Sequence, residues 1–408
     1  FNLPCLSGFM PKIAILTSGG IAPCLSSTIG GLIEKYNKLS PDSEIIGYMH
    51  GYRGLLQGNS ITFSEKVKQN YKILYNFGGS PIGNSRVKLT NIEDCVKKGY
   101  VKQGQDPLEV AAKQLLTDQI DILHTIGGDD TNTMAAALAQ HLQASGTKLT
   151  VVGLPKTIDN DVIPVKQTLG AWTAAEQGAV FFQNIVNENT TSSRQLIIHE
   201  VMGRHCGWLT AATAYEYRNS LKEMDALSDL FISKNRWDIH AVYIPEKDVD
   251  FQKESIRLRK CMDENDCVNI FLSEGAGMET IIRNLESQGT KIPRDAFGHV
   301  RLDDINPGQW FADQFAEALD ADKTLIQKSG YFARSAKPGF RDLELIKKSA
   351  FAAAEFALQG DSGLVGLDEN NNGELGLIDF QLIRGGKAFD ISSEWYKDML
   401  SDIGQETP

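Results

Sequence analysis

Residues suited to phosphate chemistry are concentrated in two segments in the first half of the chain. In the first segment, Gly127 and Gly128 precede Asp129 and Asp130. Glycines let a backbone come close to a phosphate, and carboxylate oxygens bind hard cations such as Mg²⁺. The second segment, residues 156–161, reads Lys-Thr-Ile-Asp-Asn-Asp. Together the two segments predict a site for phosphoryl transfer.

The second segment contains a candidate proton acceptor and a positive charge. Asp159 and Asp161 are two residues apart, so in an extended segment both carboxylates point to one side. One could accept a proton while the other holds a metal or orients its partner. Lys156 adds a mobile positive charge, and Thr157 follows it directly. Either segment alone is also typical of a plain loop, because Gly, Asp and Asn all favour turns.

Both segments follow apolar runs that predict neighbouring strands. Ile120, Ile122 and Leu123 precede the first segment, and residues 151–152 precede the second. Loops that follow neighbouring parallel strands open at the same edge of the sheet, where α/β proteins bind ligands. The run 131–143 predicts a helix whose free N–H groups face the first loop and favour an anion.

A third strand and loop precede these segments in the chain. The apolar run 12–16 is followed by Thr-Ser-Gly-Gly at 17–20. Gly19 is therefore a candidate for backbone contact with a phosphate, although a tight turn has the same pattern. Arg86 ends a polar, glycine-rich loop and is either a solvated charge or a phosphate ligand, since its planar fork can bind two oxygens. No Gly-x-x-x-x-Gly-Lys-Ser/Thr motif occurs, which argues against a P-loop nucleotide enzyme.

The remaining pattern alternates between strands and helices. The predicted strands are 44–48, 195–201, 241–245 and 267–272, and the predicted helices are 25–39, 172–186, 279–288 and 343–359. We interpret residues 51–55 as a turn and residues 360–376 as an acidic loop. Asp368, Asn370 and Asn372 in that loop resemble a calcium loop, but the glutamate required at loop position 12 is missing.

Bulk composition restricts the class of protein. A chain of 408 residues exceeds the usual size of a single core, so we expect two lobes. The net charge of −11 and the pI near 5.2 argue against nucleic-acid binding. No apolar stretch approaches the roughly 18 to 20 residues of a membrane span. We therefore expect no membrane partner. In an acidic protein, an anionic substrate must be bound by a local cluster of Arg and Lys.

Cysteine usage indicates a cytoplasmic protein. The six cysteines are scattered and form no Cys-x-x-Cys pair, so neither a zinc site nor a disulfide framework is expected. The first nine residues lack the features of a signal peptide. We interpret residues 1–9 as an extension, because Met10-Pro11-Lys12 resembles a natural start.

Four ordered motifs resemble the phosphofructokinase family. They are Thr-Ser-Gly-Gly at 17–20, Gly-Gly-Asp at 127–129, Thr-Ile-Asp-Asn-Asp at 157–161 and Met-Gly-Arg at 202–204. The resemblance extends from about Lys12 to about Pro338. It implies an α/β fold of two Rossmann-like three-layer lobes with mostly parallel sheets and an active site in the cleft between them.

The resemblance also implies a role for each lobe and for individual residues. Residues 10–165 plus about 340–408 would bind the phosphate donor and Mg²⁺, and about 166–339 would bind the sugar phosphate. Asp159 would be the proton acceptor, supported by Thr157 and Asp161, and Asp129 would hold the metal. The residues implied to bind the donor are Gly19 and Arg86, and those implied to bind the substrate are Thr157, Asp159, Met202, Gly203, Arg204, Glu274, Tyr331 and Arg334.

The chain departs from the family pattern at residues 331–334. Family members hold the sugar phosphate with a histidine and an arginine three residues apart, and Tyr331 stands in the histidine's place before Arg334. A tyrosine can donate a hydrogen bond but is neutral, so Arg334 would carry the charge. His299 is a competing match, which we reject because no arginine stands three positions on. His199 and His205 are expected to have structural or supporting roles.

Two further departures concern the phosphate donor. Where ATP-using members have glycines, this chain has Asp130 and Lys156. The carboxylate would repel a nucleotide α-phosphate by several kcal/mol in a partly desolvated site, and the lysine would help neutralise a short, highly charged donor. Both substitutions resemble those of the pyrophosphate-dependent branch of the family. The implied reaction transfers a phosphoryl group from Mg²⁺-bound pyrophosphate to the 1-hydroxyl of fructose 6-phosphate, reversibly.

Three alternatives remain open from the sequence. An ATP-dependent phosphofructokinase is the nearest. A distant kinase that acts on a nicotinamide dinucleotide or a lipid would share the Gly-Gly-Asp loop, but it need not carry the other motifs. A non-catalytic regulatory subunit that binds sugar phosphates need not retain both Asp129 and Asp159. The family resemblance also implies a homodimer or homotetramer, with Arg194 as a candidate for the neighbouring subunit's sugar site.

Overall fold

The computed structural model describes residues 10–293 and 305–408. The proposed extension 1–9 and the rejected alternative His299 lie outside these residues. The described chain divides into two compact units. Residues 10–158, 162–173 and 334–385 form the first unit. Residues 159–161, 174–293, 305–333 and 386–408 form the second unit.

The elements alternate as the sequence predicts. The strands are β1 (Ile13–Thr17), β2 (Ile45–Tyr48), β3 (Ser60–Thr62), β4 (Ile122–Gly127), β5 (Thr150–Pro155), β6 (Gln195–Val201), β7 (Ala241–Tyr243), β8 (Cys267–Ser273), β9 (Lys323–Lys328), β10 (Gly363–Asp368) and β11 (Glu374–Ile378). The helices are α1 (Leu25–Leu39), α2 (Tyr52–Gln57), α3 (Glu65–Gln69), α4 (Ile92–Lys97), α5 (Pro107–Thr117), α6 (Asp129–Ala144), α7 (Ala171–Ile185), α8 (Trp208–Leu221), α9 (Lys234–Trp237), α10 (Phe251–Asn265), α11 (Met278–Ser287), α12 (Pro307–Ala318), α13 (Gly330–Arg334), α14 (Phe340–Gln359) and α15 (Glu394–Asp402).

In the first unit, seven described strands form one sheet in the order β11-β10-β5-β4-β1-β2-β3. The five central strands, from β10 to β2 in this order, pair in parallel. The edge strands β11 and β3 are antiparallel to their neighbours β10 and β2. One face packs on α2, α5 and α6 through a core that includes Leu16, Leu123 and Leu138. Because strand side chains alternate between faces, the other face is left for α14 and α1, which pack together.

In the second unit, four described strands form a parallel sheet in the order β7-β8-β6-β9. One face packs on α7, α8 and α15 through residues such as Ile197, Phe271 and Tyr217. The other face packs on α10, α11 and α12 through residues such as Ile198, Ile270 and Phe311. Each unit therefore has three layers, with helices on both faces of its sheet.

Three local predictions were wrong. Residues 51–55 were interpreted as a turn, but Gly51 caps α2, which begins at Tyr52. Residues 360–376 were interpreted as a loop, but β10 and β11 form an antiparallel hairpin there, because Leu364 and Val365 are fully buried. The C-terminal segment 386–408 was placed in the first lobe, but it belongs to the second unit, where Tyr396 and Leu400 are buried.

Across the described residues, no helix is long and apolar enough to cross a membrane. Among the cysteines that the structure describes, Cys24, Cys95, Cys206, Cys261 and Cys267 are all free thiols.

Candidate functional site

Three neighbouring parallel strands bring the predicted loops of the first unit to one edge of its sheet. β1 pairs with β4, and β4 pairs with β5, with Thr17 opposite Ile126 and Gly127 opposite Pro155. The prediction that the two glycine- and aspartate-containing segments follow neighbouring strands is therefore confirmed. The loop after β1 leaves the sheet at the same edge.

The loop after β1 is held by the glycine-rich loop 78–86. The Gly19 amide donates to the Ser85 carbonyl at 2.9 Å, and the Asn84 side-chain amide donates to the Gly19 carbonyl at 2.5 Å. Gly19 has a φ of 90°, a conformation that favours glycine. Arg86 is exposed, and its Nη2 lies 3.5 Å from where a Cβ on Gly20 would stand. Arg86 thus lies beside the loop that contains Gly19 and Gly20.

Lys156 places a buried ammonium group against this loop. Its side chain is only 3% exposed. The Nζ donates to the Gly20 carbonyl and lies 3.0 Å from the position of a Cβ on Gly19. Its backbone amide donates to the Gly127 carbonyl at 2.8 Å, which ties the second segment to the first. The charge of Lys156 is therefore directed to the backbone that we expect to contact phosphate.

Asp129 and Asp130 lie in the first turn of a helix, so their assignment to a loop was wrong. Gly128 is the N-cap of α6, and Asp129 is the first helical residue. Carboxylates are favoured there because the helix dipole and free N–H groups stabilise negative charge. Asp130 is exposed and forms an ion pair with Lys88. Asp129 is half-buried, and its carboxylate lies against Gly385.

Side chains that the sequence interpretation did not identify fix the start of α6. The Asn132 side-chain amide donates to the carbonyls of Gly127 and Gly128, each at 2.9 Å. The Thr125 hydroxyl donates to the side-chain oxygen Oδ1 of Asn132 at 2.8 Å. The Tyr52 hydroxyl donates to the Thr131 carbonyl at 2.6 Å. The signal available in the sequence was a polar Asn132 in a run that is otherwise suited to a helix.

The donor set near Asp129 fits magnesium. Mg²⁺ is usually bound through one or two carboxylates plus substrate phosphates, and it does not need a cage made only of protein ligands. Asp129 supplies hard oxygen ligands beside Gly385, where a Cβ would come within 2.3 Å of Oδ2. Within the described residues, no group of three or more His, Cys, Asp or Glu side chains could hold a metal by itself. A single carboxylate is consistent with a metal that arrives with its substrate.

The segment that contains Asp159 and Asp161 is not extended, so the argument from alternating side chains was wrong. Asn160, which lies between them, has a φ of 56°. Asparagine tolerates this left-handed conformation better than most residues. In the first unit, the Thr168 hydroxyl donates to the Thr157 carbonyl at 2.8 Å. In the second unit, the Lys387 amide donates to the Asp161 carbonyl at 3.0 Å.

An electrostatic effect places both aspartates near the Met-Gly-Arg segment in the second unit. Burial raises the pKa of the Cys206 thiol to about 12, with further increases caused by the negative charges of Glu246, Asp161 and Asp159. Cys206 stands two residues after Arg204. The thiol is therefore protonated and is not a nucleophile. The aspartates lie within electrostatic range of the loop after β6.

The loops after β6 and β8 are joined by side-chain and backbone hydrogen bonds. These strands are neighbours, with Val201 opposite Ser273. The Gly203 amide donates to Glu274 Oε1 at 3.2 Å, and the Ser273 hydroxyl donates to the Gly203 carbonyl at 2.5 Å. Gly203 has a φ of 125°, and a Cβ there would lie 2.5 Å from the Cys206 carbonyl oxygen. Only glycine fits, and Arg204 is exposed beside it.

The predicted Tyr331 and Arg334 lie on α13, which follows β9, the other neighbour of β6. Tyr331 is 75% exposed. Gly330 packs on Met202, since a Cβ there would lie 2.5 Å from the methionine Cε. The second unit thus brings Met202, Gly203 and Glu274 together with the start of α13.

His199 and Ser329 support this arrangement, a role that sequence reasoning left unspecified. His199 Nε2 and the Ser329 hydroxyl are 2.7 Å apart, which links β6 to the residue before α13. The imidazole is stacked on Phe182, with an interplanar angle of 1°. Burial lowers the pKa of His199 to about 3. The imidazole is therefore neutral at physiological pH and acts as a structural tie.

Arg194 does not have the arrangement expected of a residue that reaches a neighbouring subunit. Its Nε donates to the Asp320 carbonyl at 2.7 Å, and its Nη1 donates to Asp263 at 2.9 Å. Its Nη2 donates to the Leu319 carbonyl at 2.6 Å. All three nitrogens are thus engaged within the second unit, which argues against a role for Arg194 in a neighbouring subunit's sugar site.

The structure defines an α/β protein in which glycines, carboxylates and basic side chains, groups suited to phosphate chemistry, lie at the ends of parallel strands. Residues 12–357 match the family described as Phosphofructokinase, and the chain belongs to this family. The predicted fold class is therefore confirmed, as is the family resemblance.

Two relatives match nearly the whole chain. The chain is 56% identical over 394 residues to the pyrophosphate–fructose 6-phosphate 1-phosphotransferase of Methylotuvimicrobium alcaliphilum, covering 97% of this chain and 96% of the relative. It is 54% identical over 397 residues to the protein of the same name from Propionibacterium freudenreichii subsp. shermanii, covering 97% and 98%. A crystal structure of pyrophosphate-dependent phosphofructokinase from Marinobacter aquaeolei has a similar fold. Its TM-score is 0.69 at 19% identity, covering 97% of this chain and 92% of that chain.

Proposed function

We propose that the chain is a pyrophosphate-dependent 6-phosphofructokinase. It transfers a phosphoryl group from magnesium pyrophosphate to the 1-hydroxyl of fructose 6-phosphate, giving fructose 1,6-bisphosphate and phosphate. The observation that carries this conclusion is the identity of more than half of the residues, over nearly the full length, with two enzymes of that name. The reaction is reversible, because the phosphoanhydride of pyrophosphate is less strongly driven than that of ATP.

The first unit supplies the groups for the phosphate donor in this proposal. The Lys156 ammonium and the Arg86 guanidinium stabilise charge on the transferring and leaving phosphates. Gly19 lets the loop come close to the donor, while its own amide is engaged by the Ser85 carbonyl. Asp129 holds the magnesium ion, which supplies positive charge to the phosphate oxygens when it is bound. The support for these roles is the approach of Lys156 and Arg86 to the loop of Gly19 and Gly20.

The second unit supplies most of the groups for the sugar. Asp159 accepts the proton of the 1-hydroxyl as that oxygen attacks phosphorus, with Asp161 and Thr157 in its support. Arg204, which is exposed, and Arg334, which is half-buried, neutralise the 6-phosphate. The full set that fixes fructose 6-phosphate is Thr157, Asp159, Met202, Gly203, Arg204, Glu274, Tyr331 and Arg334. Positioning and electrostatic stabilisation would account for most of the rate, as in phosphoryl transfer generally.

The choice of pyrophosphate over ATP depends on Asp130 and Lys156. Asp130 is exposed in the first turn of α6, where its charge would face a nucleotide that entered beside Gly128. Lys156 is buried against the loop of Gly19 and Gly20, where it favours a compact donor of high charge. We further propose a cytoplasmic enzyme, consistent with free thiols among the described cysteines, and a homodimer or homotetramer.

Substituting Asp159→Asn tests the proposed base. The amide keeps the size of the side chain but cannot accept the proton, so we expect kcat to fall by about 100-fold or more, within the range of general base catalysis. The measurement is a coupled assay with Mg²⁺ and fructose 6-phosphate, run separately with pyrophosphate and ATP. Fructose 6-phosphate affinity is measured by calorimetry and should fall much less than kcat, because Asp159 is only one of several residues that hold the sugar.

Two results would contradict the proposal. Turnover of the unaltered chain with ATP but not with pyrophosphate would assign it to the ATP-dependent class. A purified chain that binds fructose 6-phosphate and turns over neither donor would identify a non-catalytic sugar-phosphate-binding subunit. If kcat of Asp159→Asn falls by less than about tenfold, Asp159 is not the general base, but the proposed overall reaction is unaffected.

A further inference from the structure

Gly385 lies against the carboxylate of Asp129, although the two residues are far apart in the chain. A Cβ at Gly385 would lie 2.3 Å from Oδ2, 2.8 Å from Cγ and 3.2 Å from Oδ1 of Asp129. The Gly385 backbone is not in the left-handed region, so an alanine there is compatible with the local conformation. The obstacle to a side chain at this position is therefore the carboxylate itself.

The segment that carries Gly385 is held in place by backbone hydrogen bonds and by packing. The Ile163 amide donates to the Arg384 carbonyl at 2.7 Å, and the Arg384 amide donates to the Ile163 carbonyl at 3.1 Å. Ile383 is buried in a cluster with Val162 and Leu364. The backbone before Gly385 is thus paired and packed, so it cannot move away at low cost when a methyl group is added.

The backbone of Asp129 is also fixed. It begins α6 directly after Gly128, whose carbonyl accepts from the Asn132 amide at 2.9 Å. Because both backbones are held, a methyl group on Gly385 would be relieved mainly by rotation of the Asp129 side chain. Gly385 therefore leaves the space that the Asp129 carboxylate needs for its present orientation.

We propose that Gly385 is a positioning residue that fixes the Asp129 carboxylate for magnesium pyrophosphate. The inference rests on the proposed function and deepens it, since it assigns a role to a residue beyond the 12–357 segment that matches the family. A carboxylate held in one orientation can bind a metal with octahedral geometry, which Mg²⁺ requires more strictly than other cations do. Neighbours that orient a ligand typically change metal affinity by about 10- to 100-fold when they are altered.

The test compares Gly385→Ala with Gly376→Ala. Gly376 is on β11 in the same unit and is not in the left-handed region, and a methyl group added to it would have no atom within 4 Å. Binding of magnesium imidodiphosphate, a non-hydrolysable analogue of pyrophosphate, is measured by calorimetry on the full chain. We expect Gly385→Ala to bind it about tenfold or more weakly, while Gly376→Ala binds as the unaltered chain does. Fructose 6-phosphate affinity should be the same in all three proteins.

A double substitution separates positioning from a general loss of structure. In an Asp129→Ala background the colliding oxygens are absent, so adding Gly385→Ala should cause no further loss of analogue binding. If Gly385→Ala by itself lowers the unfolding temperature, the double variant should recover it. Normal analogue binding by Gly385→Ala, or an equal extra loss in the Asp129→Ala background, would overturn the inference. Failure of the proposed function gives a different result, because the unaltered chain itself would then not bind the analogue.

Discussion

Lys156 offers the sharpest test of how this acidic protein accommodates a pyrophosphate. Substituting Lys156→Met keeps most of the length and apolar volume of the side chain and removes its charge. A unit charge about 4 Å from a phosphate oxygen contributes about 4 kcal/mol at an effective dielectric constant of about 20. If that interaction is made fully in the transition state, its loss lowers kcat/KM for pyrophosphate by about 1000-fold.

The assay is the initial rate at varied pyrophosphate, with saturating Mg²⁺ and fructose 6-phosphate. Lys148→Met is the matched control, since Lys148 is exposed and precedes the opposite end of β5. We expect this control to change kcat/KM by less than about twofold, because exposed charges far from a site are screened. The reverse reaction from phosphate should fall in parallel with the forward one. A decrease of less than about tenfold in Lys156→Met, with unchanged thermal stability, would refute the assignment of the buried ammonium to the donor.

Two other predictions follow from the same structure. The double substitution Asp130→Gly with Lys156→Gly should shift the ratio of kcat/KM values toward ATP, because it removes one repulsive and one attractive charge. An unchanged donor ratio would contradict our account of specificity. Burial lowers the pKa values of His124, His199 and His240 to about 4, 3 and 4. The unfolded chain takes up these protons below about pH 6.5, so the unfolding free energy should fall by about 1.4 kcal/mol per pH unit for each histidine between about pH 6 and pH 4. Urea unfolding at several pH values measures this free energy. An unfolding free energy that does not change between pH 6 and pH 4 would contradict the prediction.

The chemistry-bearing segments could be predicted because each follows a buried strand. The apolar runs before Gly19, Gly127 and Lys156 became β1, β4 and β5, which are neighbours in the sheet. Parallel pairing then dictates that the loops share an edge. Local conformation was harder to predict. The two glycines before Asp129 and Asp130 favour a loop, although acidic residues are also typical of a helix N-terminus.

Contacts between distant parts of the chain could not be predicted from local patterns. The approach of Gly385 to Asp129 joins residues from opposite halves of the sequence, and a glycine in an Arg-Gly-Gly-Lys stretch looks like an ordinary turn. The burial of Tyr396 and Leu400 in the second unit could not be predicted for the same reason, because it depends on contacts with residues distant in the chain. The apolar face of an amphipathic C-terminal helix predicts that the helix packs against the protein core. Which surface it packs against depends on the tertiary fold.

The charges at the edge of the first sheet also explain why the donor should be a metal complex. The free N–H groups at the start of α6 would attract a bare anion. Asp129 and Asp130 occupy that first turn, however, and their two negative charges oppose the attraction. Lys88 pairs with Asp130, and Lys156 and Arg86 supply two further positive charges, whereas a pyrophosphate carries more than two negative charges at neutral pH. We infer that the carboxylate of Asp129 becomes favourable only when a divalent cation accompanies the phosphates, which makes magnesium pyrophosphate, not free pyrophosphate, the form that this site accepts.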